Sequence, residues 1–187
     1  MNLRKVAGLL LAGIMTAGLS VALAQPAQAA PDPGTSYEIF DYFHFAQGPK
    51  CVDVPGGSSR PGQLLQVFHC LSGTNQLWFF DDQGNGYFQI RNVKSHLCFE
   101  LPSQSTRIEQ ASCAIPFDTE QYRIQVVFTT AAGQNVFGLV NKAFPDQCLT
   151  ILNGGAPVDN APIGLAGCQL GTSVVNPGNA AQLWALG

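Results

Sequence analysis

The chain has 187 residues, only 11% of them charged, and nine Lys and Arg stand against twelve Asp and Glu for a formal net charge of −3. An acidic chain without a basic cluster excludes an electrostatic nucleic-acid binder, and the lack of a polybasic segment excludes docking on anionic lipid. So few charges leave uncharged polar groups and glycine to carry the surface.

The first element is a leader. Arg4 and Lys5 precede a mostly apolar stretch, residues 6–23, and Ala27-Gln28-Ala29 is a small-x-small cleavage signal. Residues 1–29 therefore read as a secretory signal, with cleavage near Ala29 or Ala30. Glycines, Thr16 and Ser20 dilute the run, which argues against an uncleaved anchor. No cysteine precedes Cys51, so a lipid-anchored cysteine at the cleavage point is excluded. Cleavage leaves about 157 residues, enough for one domain with a real core. It also removes Arg4 and Lys5, which takes the net charge from −3 to −5. The expected mature protein is secreted, extracellular and not inserted in a membrane.

Beyond a Pro/Asp/Gly lead-in at residues 31–34, short β-type runs alternate with polar turns. Residues 37–45 are aromatic-rich and partly alternating. Runs at 51–54, 64–69 and 76–80 follow, separated by Pro55-Gly56-Gly57, Arg60-Pro61-Gly62 and Ser72-Gly73-Thr74. Residues 81–86 (DDQGNG) close this unit. A second unit opens with residues 87–93 and closes with 129–135, and a third opens with 136–142. No segment shows a sustained 3.6-residue apolar period with caps. Many short strands at regular spacing with glycine turns read as all-β.

The units are copies. Cys51 to Cys98 is 47 residues and Cys98 to Cys148 is 50, a period that signals a repeat architecture. Three units of about four strands are too few for a long solenoid. A closed threefold barrel with a hairpin cap is the economical solution, because closure removes sheet edges. Six cysteines behind a secretory leader point to disulfides. Spacing alone leaves the pairing open, and the repeat narrows it to Cys51–Cys70, Cys98–Cys113 and Cys148–Cys168, each inside one copy. Loops of that size stabilise by roughly 3 kcal/mol each in the chain-entropy model. No Cys-x2-Cys pair or Cys/His cluster supports a metal, and no cofactor is expected.

Each copy ends in Gln-x-aromatic or a relic of it: Gln76-Leu77-Trp78, Gln121-Tyr122-Arg123 and Gln182-Leu183-Trp184. On a strand, alternation sends the Trp inward, so the motif builds the core. Three copies of Cys-x-Asp-x … Cys … Gln-x-Trp, the later two degraded, resemble the ricin B-type lectin family, also called family 13 carbohydrate-binding modules. The resemblance covers residues 37–187. It implies a β-trefoil of three pseudo-equivalent four-strand repeats with intra-repeat disulfides, at about residues 37–81, 82–130 and 131–187. It also implies a sugar pocket in the first repeat, formed by Asp53, Gln66, Phe68 and Asn75; on chemical grounds Gln76 is expected to hold the Asp53 carboxylate in place.

Elementary chemistry agrees with that set. A sugar offers fixed hydroxyls on one edge and an apolar C–H face. A carboxylate accepts from hydroxyls, an amide donates and accepts, and an aromatic ring lies against the C–H face. The other repeats have lost the set. Repeat two carries Glu100, Ala111 and Glu120 in place of Asp, aromatic and Asn, and repeat three carries Thr150, Ala166 and Ala181. One pocket on a threefold scaffold is expected, without avidity between repeats.

No Gly-x-Ser-x-Gly, His-Glu-x-x-His or phosphate-cradling loop occurs, and His44, His69 and His96 stand on separate runs. The chain is expected not to be an enzyme. The resemblance implies galactose-type sugars or a plant polysaccharide such as xylan as partner. The alternative is a protein-interaction trefoil, such as a protease inhibitor or toxin-associated subunit, presenting residues 169–180 as a contact loop.

Overall fold

The structure is a computed structural model that describes residues 30–44, 48–113, 116–171 and 177–187. The leader at residues 1–29 lies outside the described residues, and so does part of the 169–180 loop. The described strands, in chain order, are β1 (Ser36–Asp41), β2 (Lys50–Asp53), β3 (Gln63–Leu64), β4 (Gln66–His69), β5 (Leu77–Asp82), β6 (Tyr87–Asn92) and β7 (Cys98–Glu100). They continue with β8 (Glu109–Ala111), β9 (Gln121–Thr129), β10 (Asn135–Asn141), β11 (Gln147–Ile151), β12 (Ala161–Gly167) and β13 (Trp184–Leu186). One helical turn, α1 (Pro177–Ala180), precedes β13. No helix among the described residues is long and apolar enough to cross a membrane.

Six strands close into an antiparallel barrel: β1 pairs β5, β5 pairs β6, β6 pairs β9, β9 pairs β10, β10 pairs β13 and β13 pairs β1. Three hairpins cap one end: β2–β4, β7–β8 and β11–β12. Neighbouring hairpins touch around the axis. Gln63 pairs Gln110, Val67 pairs Ala161, and Arg107 bridges to Gly164. At Gly164 the chains come so close that a Cβ would collide with the Thr106 carbonyl, which accepts from Leu165 N at 2.7 Å. This is the closed threefold barrel that the repeats imply and the β-trefoil that the resemblance implies, and the ring leaves the barrel no open edge.

Alternation builds the core. In β5, Trp78 and Phe80 are buried while their neighbours are partly exposed. Trp78 donates from Nε1 to Val52 O at 3.0 Å, and Trp184 repeats the bond to Leu149 O at 3.1 Å. Trp78 meets Phe99 edge-on at 4.7 Å, and Phe99 meets Tyr122 edge-on at 6.0 Å. Disulfides join Cys51–Cys70, Cys98–Cys113 and Cys148–Cys168, each inside its repeat.

The motif of repeat two needs correction by one residue. Tyr122 occupies the place of the two Trp residues and is fully buried, whereas Arg123 is exposed. Tyr37, Phe88 and Phe137 stand opposite Trp78, Tyr122 and Trp184 on the same side of each strand. Glu120, two residues earlier, therefore stands where Gln76 and Gln182 stand. The backbone agrees: Gln76 N, Glu120 N and Gln182 N each donate to the carbonyl three residues back. The relic is Glu120-Gln121-Tyr122, and Thr119, not Glu120, replaces Asn75.

A second threefold feature lies on the far side of the same strands. Asn92, Asn141 and Asp41 stand opposite Trp78, Tyr122 and Trp184. Each is buried and accepts backbone N–H groups of the turn that follows it: Lys94 and Ser95, Ala143 and Phe144, and Phe43. Asn92 and Asn141 also donate to the carbonyls of Asn75 and Thr119. The two asparagines thereby fix the turns after β6 and β10 to the segments that carry the motif, while Asp41 holds the turn after β1.

Candidate functional site

Asp53 ends β2 directly opposite Gln66 on β4, and Cys51 stands opposite Phe68. Pleating puts Asp53 and Gln66 on the same face of the hairpin. The chain then turns sharply through Pro55-Gly56-Gly57, with both glycines at φ 60°. That region is open to glycine at little cost, so the turn can fold back beside the carboxylate.

Asp53 is only 3% exposed. Its Oδ1 accepts from Gln66 Nε2 at 2.9 Å. Its Oδ2 accepts from Asn75 Nδ2 at 2.6 Å and Gln76 Nε2 at 3.1 Å. Gln76 is itself clamped: Nε2 also donates to His69 O at 2.7 Å, and Oε1 accepts from Leu71 N at 2.7 Å. Burial pushes the Asp53 pKa up, and the bonds from Gln66, Gln76 and Asn75 pull against it. Two carboxylate oxygens offer about four acceptor positions, so Oδ1 keeps room for one more donor. Among the described residues, Asn75 Oδ1 has no protein donor either.

These groups line a cleft of about 410 Å³, with Asp53, Gln66 and Asn75 on its floor and half-buried Phe68 on its wall. Gln76 lies behind the floor, 1% exposed. All five residues singled out in the sequence thus meet at one place. The fold adds Leu71, Lys94 and Asn160, which come from other segments. Asn160 belongs to the β11–β12 turn of repeat three and donates its N–H to Val67 O at 2.9 Å. The preceding Asp159 accepts from Lys50 Nζ at 2.7 Å and from His69 N at 3.0 Å. That ion pair latches repeat three onto repeat one beside the cleft, and Lys50 and His69 hold the Asp159 carboxyl below its usual range.

The equivalent places differ chemically. In repeat three, Gln182 is held as Gln76 is: Nε2 donates to Gly167 O at 2.9 Å and Oε1 accepts from Gln169 N at 2.8 Å. Its bond to the Asp53 position goes to Thr150 Oγ1 at 2.9 Å, and that hydroxyl donates to Cys148 O at 2.7 Å. The hydroxyl is used up internally, and Ala166 stands where Phe68 would. In repeat two, Glu100 faces Glu109 across the hairpin, Ala111 replaces the aromatic, and Glu120 replaces the clamped Gln. Three carboxyl groups gather there. Burial, and next the charge of Glu100, push up the Glu109 pKa. Burial also raises that of Glu120, opposed by the 2.6 Å bond from Gln89 Nε2.

This has a consequence for stability. A carboxyl whose folded pKa lies above its unfolded value stabilises fully below the unfolded value, and that contribution is lost as pH rises through the folded pKa. Glu120→Gln restores the donor found at Gln76 and Gln182. The variant is expected to exceed the parent by on the order of 1 kcal/mol at pH 8, as for one gained buried hydrogen bond. The difference should fade toward pH 4. Urea melts at pH 4, 6 and 8 measure it, and a gap independent of pH would contradict the assignment.

A family model described as a ricin-type beta-trefoil lectin domain-like family matches residues 34–115, which span repeat one and the cap of repeat two. Among solved structures, a designed threefold-symmetric protein, ThreeFoil, is similar at 21% identity and a TM-score of 0.65, over 81% of this chain and 96% of that one. A ricin B-like lectin from Macrolepiota procera, solved in complex with lactose, is similar at 19% identity and a TM-score of 0.59, over 84% of this chain and 97% of that one. An exo-β-1,3-galactanase from Clostridium thermocellum is similar at 19% identity and a TM-score of 0.63, over 83% of this chain but only 30% of the enzyme. At these identities the likeness to each solved structure is one of fold.

Proposed function

We propose that this chain, which carries a ricin-type β-trefoil lectin-like domain, is a secreted, non-catalytic carbohydrate-binding protein with one sugar site, the cleft of repeat one. The observation that carries the reading is the Asp53 carboxylate. Three amides hold it in place, yet one acceptor position at Oδ1 points to no protein donor among the described residues. Two adjacent sugar hydroxyls fit Oδ1 of Asp53 and Oδ1 of Asn75, and the C–H face of the ring fits Phe68. The M. procera lectin was solved with lactose, which favours galactose-type sugars over xylan as first ligands to try. A shallow, wet site of this kind gives affinities from roughly mM to tens of μM, about −4 to −6 kcal/mol.

The test is a glycan array followed by calorimetry on the mature protein. Binding of galactose-type sugars is the expected result, and no binding to any glycan would remove the proposal. Phe68→Ala is expected to weaken binding about two- to tenfold, because a face-on aromatic contact contributes about 0.5–1.5 kcal/mol. Phe68→Trp enlarges the platform and is expected to tighten binding a few-fold. If neither variant changes the dissociation constant, Phe68 serves packing alone.

A further inference from the structure

We propose that the cleft of repeat one selects acidic saccharides, with Lys94 meeting a carboxylate or sulfate group on a sugar whose hydroxyls bind Asp53. This rests on the carbohydrate reading above and goes further by naming the charge class of the ligand.

Lys94 stands on the turn after β6, and its exposed side chain runs along the mouth of the cleft. Its ammonium lies across Gly57, where any side chain would collide with Nζ. The φ of 60° at Gly57 also disfavours a side chain there. The turn beneath Lys94 is held firmly. Buried Asn92 accepts from Lys94 N at 3.0 Å and donates to Asn75 O and Leu77 O, both at 3.2 Å. The same side chain therefore fixes the backbone of Asn75 on the floor and the backbone of Lys94 on the rim.

The charges on this face are unequal. Lys50, the other lysine nearby, is neutralised by Asp159. Lys94 has no acidic partner among the described residues. The only other charged group lining the cleft is Asp53 on its floor, where three amides hold the carboxylate and Oδ1 keeps one free acceptor position. The threefold comparison points the same way. The positions equivalent to Lys94, two residues beyond Asn141 and Asp41, hold Ala143 and Phe43. The barrel does not require a cation at this position of the turn, just as it does not require the Asp53, Phe68 and Asn75 set.

The test compares galactose, galacturonic acid and galactose 6-sulfate by NMR titration of the mature protein, using wild type, Lys94→Met and Lys94→Arg. An exposed ion pair contributes modestly, so wild type is expected to prefer an acidic sugar over galactose by about three- to fivefold. The preference should shrink as salt rises, since exposed charges are screened. Lys94→Met should lose the preference and bind the three sugars alike, and Lys94→Arg should keep it. Whichever acid is favoured more identifies the anionic group. Equal binding of all three sugars by wild type, or a preference that survives in Lys94→Met, overturns this inference and leaves the carbohydrate site standing. Failure of wild type to bind any of the three overturns both.

Discussion

Asp53→Ala is expected to remove measurable sugar binding while the barrel remains folded. The carboxylate supplies the one charged acceptor at the floor of the cleft, and hydrogen bonds to a charged group contribute about 1.5–3 kcal/mol. Their loss lowers affinity by roughly 10- to 100-fold, which takes a millimolar site beyond detection. The substitution has a second, separable effect. The amides of Gln66, Asn75 and Gln76 all aim at the missing oxygens. Leaving such buried donors unpaired costs about 1–3 kcal/mol. Gln76 keeps its bond to His69 O and Asn75 its long one to Val54 O, so the stability loss should sit at the low end. Calorimetry and a thermal melt on the same sample distinguish the two effects. Wild-type affinity in the variant would remove Asp53 from the site.

Trp78→Ala is expected to have the largest effect on folding, a loss of about 3–5 kcal/mol. Trp78 is fully buried, packs edge-on against Phe99 and satisfies its indole N–H at Val52 O. Removing it leaves a cavity at the junction of repeats one and two and an unpaired carbonyl on β2. A domain of this size loses roughly 2–4 °C per kcal/mol, so the melting temperature should fall by about 10 °C. Native domains hold only about 5–15 kcal/mol in all, and the three disulfides are what keep such a variant foldable. Denaturant unfolding under oxidising conditions measures it. A loss below about 1 kcal/mol would contradict the account of the core, because a fully buried Trp has no other way to be dispensable.

The two substitutions separate what the chain uses for folding from what it offers a ligand. Trp78 and Asp53 are 25 residues apart in sequence, yet both lean on β2. Trp78 bonds the carbonyl of Val52, the residue next to Asp53. The core thus sets the height of the carboxylate in the cleft, and a weakened core should loosen binding as well.

The repeats were legible because cysteines and tryptophans are rare and their spacing survives drift. Gln76-x-Trp78 and Gln182-x-Trp184 could be aligned by eye. The middle copy misled because a glutamine, Gln121, stands one place beyond the position of Gln76 and Gln182, and Tyr122 takes the place of the Trp. The 3-10 turn at Asp118–Glu120 fixes the register instead, through Glu120 N bonding Phe117 O. No residue-type pattern announces that bond. The carboxylate at Glu120 further hid the match, since the position elsewhere holds an amide.

Sequence by itself determined the threefold repeat, the all-β class, the pairing of cysteines within copies and the candidate set of four floor and wall residues with Gln76 behind them. The cysteine pairs and the candidate set are local: each lies within one copy, where short chain separation and strand alternation restrict what can meet. Tertiary structure alone decided that Asn92 ties two turns together, that Asn160 of repeat three walls the cleft and that the Asp159–Lys50 pair latches it there. It alone decided that Lys94 lies over Gly57 without an acid beside it. Those contacts join residues from different repeats, and no spacing rule reaches across a barrel closure that depends on every strand being in place.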